Sequence, residues 1–156
     1  SGSERVRRDI LKRNITNQRL CESFRQTQAA GIMATANYML GIPGETASDI
    51  EDTLALHEEL KPDDFGYFVF YPYPGTSLFK LCADKGYLPE NLYEFPAHHH
   101  ASVLNLPDLS GEEIEHYYDR FTDLRIRDRL ANLPTESAME ARCELTEKIR
   151  LDASKG

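Results

Sequence analysis

The 156 residues carry 26 acidic against 18 basic side chains, a formal net charge of −8. That balance argues against a general nucleic-acid or membrane-surface binder, since both need a positive face. A hydrophobic fraction of 40% with 28% charged residues fits one globular domain with a real core. No apolar run approaches the roughly 20 residues that cross a bilayer, and no signal peptide is visible. A cytoplasmic setting is therefore the default expectation. Cys21, Cys82 and Cys143 lie about sixty residues apart. That spacing suits reduced thiols, and it lacks the close grouping of disulfide frameworks, zinc sites and clusters.

The opening Ser1-Gly2-Ser3 reads as a tag remnant or as native sequence; without an initiator methionine, the chain reads as a piece of something longer. From Glu4 to Arg13, Val6, Ile10 and Leu11 recur at helical spacing. Thr16 is a good N-cap for a second helix carrying Leu20, Phe24 and Thr27, which Gly31 closes. Ile32 to Leu40 reads as a strand apolar enough to be buried on both faces. A third helix starts near Thr46 or Ser48, with Ser48 and Glu51 in capping-box spacing, and ends at Lys61-Pro62. Ile50, Leu54, His57 and Glu58 lie along it, with His57, like His116, expected to be partly exposed.

Phe65 to Tyr71 is aromatic and β-branched, the composition of a buried strand. "PYPGT" turns the chain, Thr76 caps a short helix with Leu78, Phe79 and Leu81, and Gly86 ends it. The pattern dissolves from Tyr87 to Leu109, where His98, His99 and His100 stand together. Three consecutive histidines do not converge on one ion in regular structure, so a loop facing solvent or substrate is expected. Ser110 and Glu113 then open a long amphipathic helix to about Leu130, with Ile114, Tyr117, Tyr118, Phe121 and Leu124 on one face. A further helix is expected from Pro134-Thr135, with Ala138, Leu145 and Ile149 as a sparse stripe.

Helices alternate with two strands, which implies an α/β fold with parallel strands. Two strands are too few for a self-sufficient parallel sheet, so the sheet is expected to continue outside these residues. The expected organisation is a C-terminal half-barrel over 1–88, an irregular loop over 89–109 and a helical extension over 110–156.

The turn "GIPGET" invites a phosphate-cradle reading. A P-loop needs a lysine and a hydroxyl after its glycines, and here Glu45 stands where a cation would help. The G-x-G-x-x-G frame of a dinucleotide site is absent, and Pro43 removes an amide that would donate to an anion. A plain strand-to-helix turn, with glycines supplying positive φ, remains open.

Three segments in order carry a more specific resemblance: "SGSERVRRDILKRNIT", "AGIMATANYMLGIPGETASDIEDT" and "FVFYPYPGTSLFKLCADKGYL". They are similar in order and spacing to the second half of a radical S-adenosylmethionine (radical SAM) enzyme barrel. The likeness is strongest to the class whose catalytic barrel follows a cobalamin-binding domain. "LSGEEIEHYYDRF" is similar to the helix after that barrel, so the resemblance runs from Ser1 to Leu124.

The resemblance implies a partial parallel (β/α) barrel, of which this is the C-terminal half, followed by a helical extension. It implies S-adenosylmethionine and a [4Fe-4S] cluster as cofactors, with cobalamin as a further candidate. By motif, Ser1 and Ser3 would face the ribose or methionyl part, and Arg13 would reach the methionyl carboxylate. Asn37 and Met39 would lie near the adenine, with Gly41 closing their strand. Phe70 and Tyr71 would offer backbone groups and a flat surface to the adenine. The family motif often places a glutamate three residues after its glycine; Gly44 occupies that place here. Glu45 is one later, where an acid favoured by the helix dipole is an equal reading.

The three-cysteine loop C-x-x-x-C-x-x-C is absent, so this chain by itself is not expected to bind the cluster or to be active. The implied partners are the first half of the barrel, a possible cobalamin-binding domain and a small-molecule substrate. Tyr67, Tyr71 and Tyr73 read as core and cleft lining rather than as a radical relay. Two other readings stay open: a non-catalytic α/β interaction module that completes a sheet with a partner chain, and a phosphate-binding barrel fragment.

Overall fold

A computed structural model describes residues 1–94, 100–131, 146–148 and 150–151. It opens with a single wide helical turn, Val6–Ile10, followed by α1 (Asn17–Ala29), β1 (Thr35–Leu40), α2 (Ala47–Leu60) and β2 (Asp64–Val69). Helix α3 (Ser77–Lys85), a 3-10 turn (Leu92–Glu94) and α4 (Gly111–Ala131) complete the order. The helix expected from Pro134 lies largely outside the described residues, as do His98, His99 and Cys143.

The first helix is shorter than its apolar spacing suggests. Leu11 N–H reaches back five residues to Val6 O at 3.0 Å, and Lys12 takes a left-handed φ of 56°. Buried Arg7 draws the chain back over this turn. Its guanidinium donates to Ser1 O at 2.6 Å, to Ile15 O at 3.2 Å and to Asn17 Oδ1.

Caps set the other helix starts. Thr16 Oγ1 accepts from Arg19 N–H at 3.2 Å, and Thr76 Oγ1 from Phe79 N–H at 3.1 Å. On α2 the capping box is Thr46 with Asp49 rather than Ser48 with Glu51. Thr46 still has extended backbone, φ −116° and ψ 166°, directly after the Gly44-Glu45 turn, so Ser48 already lies inside the helix. Glu51 instead accepts from Tyr117 Oη at 3.0 Å and pairs with Arg120, tying α2 to α4. On α4 the expected box is present: Ser110 Oγ accepts from Glu113 N–H at 3.2 Å, and Glu113 Oε2 from Ser110 N–H at 2.8 Å. Ser110→Ala is expected to lower stability by about 1 kcal/mol, measured as a shift of the urea midpoint at unchanged slope.

The two strands pair in parallel, Thr35 opposite Asp64 through Leu40 opposite Val69. Side chains alternate between the faces, and the faces differ. Ala36, Tyr38 and Leu40 join Phe65 and Tyr67 in one core with Ile50 of α2 and Ile114, Tyr117, Phe121 and Leu124 of α4. The other face carries Asn37, Met39, Gly66 and Phe68, with Met39 40% and Phe68 57% exposed. The expectation of a strand buried on both faces is thus met on one face only. Among the described residues all of β1's cover comes from the helical side, where α4 joins the core.

A second cluster joins Val6, Ile42, Phe70, Cys82 and Leu104, and a third joins Cys21, Leu56 and Leu60. Cys21 and Cys82 are free and buried in different clusters, and burial pushes the Cys82 thiol up to about 11.

His57 departs from its expected exposure: it is 2% exposed. Its Nδ1 lies 3.0 Å from Tyr38 Oη and its Nε2 2.8 Å from Asp128 Oδ2, bridging β1, α2 and α4. With Nε2–H donating to Asp128, Nδ1 accepts from the tyrosine hydroxyl, and both buried polar groups are satisfied.

Candidate functional site

Because β1 and β2 are parallel, their C-terminal ends open at one rim, where sites in parallel α/β sheets gather. Phe70 N–H donates to Leu40 O at 2.8 Å, extending the ladder to the rim. The chain then leaves β1 through Gly41-Ile42-Pro43-Gly44. Gly41 and Gly44 have φ of 73° and 80°, left-handed values that favour glycine. A Cβ on Gly41 would also sit 3.0 Å from Ile114 Cδ1, so α4 packs directly under this turn.

Glu45 lies beneath the turn and is 1% exposed. Its Oε2 accepts from Gly41 N–H at 2.8 Å and from Ile42 N–H at 3.2 Å. Its Oε1 is buried and has no hydrogen-bond partner among the described residues. Burial, opposed by those two amides, pushes the carboxyl up to about 7. Glu45 stands directly before the α2 cap Thr46, the helix N-terminal place expected of it, and it is buried there.

Four residues on, Asp49 behaves oppositely. Burial alone would raise its carboxyl, yet hydrogen bonds from Arg5, Ser3 and Thr46 hold it down at about 2. Ser3 Oγ donates to Oδ1 at 2.6 Å, and Thr46 Oγ1 donates to Oδ2 at 2.7 Å. Gly2 N–H donates to Thr53 Oγ1 at 2.7 Å, and a Cβ on Gly2 would lie 2.3 Å from Asp52 O. The opening residues therefore dock on α2 at a distance only glycine allows.

Of the residues singled out from sequence, Asn37 and Met39 stand side by side on the open sheet face. Opposite Asn37 in register is Gly66, where an added Cβ would meet Asn37 Oδ1 at 2.8 Å and the Phe68 ring at 3.0 Å. Gly41 closes β1 at the rim. Ser3 is buried and its hydroxyl is committed to Asp49, so it holds the wall together rather than facing outward. Ser1 is half-buried, its Oγ accepting from Ser3 N–H at 3.3 Å, and its amino terminus feels the charges of Glu45, Arg7 and Arg13. Arg13 is exposed, its backbone N–H bonded to Arg7 O at 2.7 Å.

Phe70 departs further from expectation: its ring is in the core with Ile42 and Cys82. Tyr71 is half-buried, its ring centroid 5.1 Å from that of Tyr73 and its hydroxyl donating to Leu92 O at 3.4 Å. His100 lies 4.7 Å from the Tyr118 ring, against α4. Among the described residues no group of three or more His, Cys, Asp or Glu side chains is arranged to hold a metal. Cys21 and Cys82, in separate clusters, do not fit a shared iron–sulfur cluster. No described helix is long and apolar enough to cross a membrane.

Sequence reasoning passed over Glu45's burial and the Asp49 network. The available signal was an acid directly after Pro-Gly, followed by Thr-x-x-Asp.

No family model matches the chain. Over 78 residues it is 37% identical to tRNA-2-methylthio-N(6)-dimethylallyladenosine synthase of Pseudomonas savastanoi pv. phaseolicola, covering 49% of this chain and 17% of that protein. The synthase of the same name from Thermus thermophilus is 33% identical over 86 residues, covering 54% and 18%. That of Deinococcus radiodurans is 32% identical over 94 residues, covering 59% and 18%. The aligned stretches thus span less than a fifth of each of these relatives' length.

Proposed function

We propose that the chain is the C-terminal part of a radical SAM enzyme and supplies one wall of its S-adenosylmethionine site. The synthases it resembles are radical SAM enzymes, in accord with the motif likeness, and a radical SAM parent is the coarsest reading the two share. The observation that carries the proposal is the bare face of a parallel strand pair whose C-terminal rim ends in a glycine turn. Asn37, Met39, Gly66 and Phe68 form that face, with Gly41 at its end.

In this reading the bare face is the interior of a partial (β/α) barrel, and α2 and α4 are its outer layer. An adenine needs an apolar slot with few polar groups, which Met39, Phe68 and Asn37 supply together. Arg13, a cation on a solvent-facing segment near Ser1, is suited to the methionyl carboxylate. The described cysteines do not form a cluster site, so the [4Fe-4S] ligands belong to the half of the barrel that precedes Ser1. Ligands there would hold a cluster that supplies one electron, the chemistry by which S-adenosylmethionine divides into methionine and a 5′-deoxyadenosyl radical. This chain's residues hold the cofactor and exclude water from it.

A nucleoside in tRNA, in keeping with the relatives' names, is the substrate proposed beside the small molecule first expected, held mainly by other parts of the parent. Cobalamin is not part of the proposal, because the relatives give it no support. The setting proposed is the cytoplasm, where buried free thiols such as Cys21 and Cys82 persist.

The coding sequence upstream of Ser1 tests the proposal. A three-cysteine loop is expected about 100 to 150 residues before Ser1, the length of half a roughly 250-residue barrel. Its absence, with no 5′-deoxyadenosine formed by the reduced full-length protein, would sink the reading. The bare face and open strand edges equally suit a module that completes a sheet with a partner chain. A full-length protein that binds such a partner and ignores S-adenosylmethionine would favour that second reading.

A further inference from the structure

The acid beneath the β1 turn is unusual within this fold. Glu45 is almost wholly buried, yet it forms no ion pair with a side chain, and one of its oxygens has no hydrogen-bond partner among the described residues. Folds satisfy buried polar atoms, and an orphan oxygen is a departure that needs a reason. The α2 cap does not supply one, because Thr46 and Asp49 complete that capping box without Glu45.

What Glu45 does hold is the backbone where β1 ends. Two successive amides, Gly41 and Ile42, converge on Oε2. Both would otherwise be buried donors in a left-handed turn without a ladder partner. Capturing them fixes the two peptide planes on either side of Gly41, and with the second the direction of the Gly41 carbonyl at the rim; the Leu40 carbonyl is already held by Phe70 N–H. Pro43, which donates no hydrogen bond, and Glu45 N–H, which donates to Ile42 O at 2.8 Å, complete a closed loop.

We infer that Glu45 is a positioning residue for the pocket at the end of β1, acting through the Gly41 and Ile42 amides to aim the rim backbone at the bound adenosyl group. This rests on the S-adenosylmethionine reading above and adds a residue that itself stays out of contact with the cofactor. The clamp needs an acceptor of this length rather than a charge. Gln presents an amide oxygen at the same reach, Asp falls one methylene short, and Leu fills the space without accepting.

The test uses the full-length protein and radiolabelled S-adenosylmethionine in equilibrium dialysis, with hydrogen exchange read at Gly41 and Ile42. Glu45→Leu is expected to weaken binding about 10-fold or more and to deprotect both amides. Glu45→Gln is expected to keep both within about 3-fold of wild type, the rescue that a positioning acceptor predicts. Should Glu45→Leu fail to fold, Glu45→Asp replaces it, with an intermediate loss of affinity expected. A folded Leu or Asp variant that binds as wild type does, whatever its thermal midpoint, reduces Glu45 to a structural acid and overturns the inference. A wild-type protein that binds no S-adenosylmethionine overturns the parent reading and this inference with it. Exchange at the two amides would still show whether the clamp itself exists, so the two failures are told apart.

Discussion

Phe121→Ala is expected to lower the unfolding free energy by about 4 kcal/mol, among the largest effects of any single truncation here. The ring is fully buried where the two strands meet α4. Its centroid lies 5.4 Å from that of Tyr38, 6.5 Å from Phe65 and 5.8 Å from Tyr67. Alanine would remove the ring that these aromatics enclose, and packed side chains on three elements cannot collapse into the gap. The neighbouring polar bridges Tyr38–His57–Asp128 and Tyr67–Thr122, the latter at 2.9 Å, would lose the packing that aligns them. Urea denaturation with an unchanged slope would check the figure. A loss near 1 kcal/mol would show that α4 is only loosely laid on the sheet.

Stability should also depend on pH through two carboxylates with opposite signs. Glu45 is raised by burial from 4.5 to about 7. Its contribution to stability is fully present below about 4.5 and is lost as the pH rises through about 7. The rise corresponds to roughly 3 kcal/mol. Asp49 is lowered from 3.8 to about 2, its hydrogen bonds from Arg5, Ser3 and Thr46 outweighing burial. Its contribution is present above 3.8 and is lost as the pH falls through about 2. A stability maximum is therefore expected near pH 4 to 5. Glu45→Gln should flatten the neutral limb and leave the acid limb, while Asp49→Asn should do the reverse. Chemical denaturation at pH 4.5 and pH 8 reads the neutral limb directly. Equal stability at both pH values would contradict the burial of an ionisable Glu45.

The alternation of helices and strands was legible because apolar periodicity and caps are local. Thr16, Thr76 and Ser110 each cap the helix assigned to them. The α2 cap was misplaced because Thr46–Asp49 and Ser48–Glu51 satisfy the same spacing. Only the backbone leaving the glycine turn decides between them. Ile32 to Leu40 reads as one apolar run, yet Tyr38 and Met39 face opposite ways, and which face is covered depends on α4, over seventy residues on in the chain. His57 looked like a surface residue because its partners Tyr38 and Asp128 are distant in sequence.

At the candidate site, the rim position of Gly41 and the shared face of Asn37 and Met39 follow from strand period and direction, whereas the openness of that face does not. Nor does the commitment of Ser3 to Asp49 and of the Phe70 ring to the core. Both depend on where the opening residues and the segment around Leu104 pack. Hydroxyl and aromatic side chains suit a pocket and a core equally well, so composition alone could not separate the two roles.

The measurement that bears most directly on the central claim is S-adenosylmethionine affinity of the full-length protein with a charge placed on the bare sheet face. Met39 is 40% exposed there in this chain, and the binding comparison uses Met39→Arg protein whose unfolding remains cooperative. If that face lines the adenosyl pocket, the buried cation should weaken binding about 10-fold or more. Unchanged affinity in a normally folded Met39→Arg protein would place the cofactor elsewhere and contradict the account.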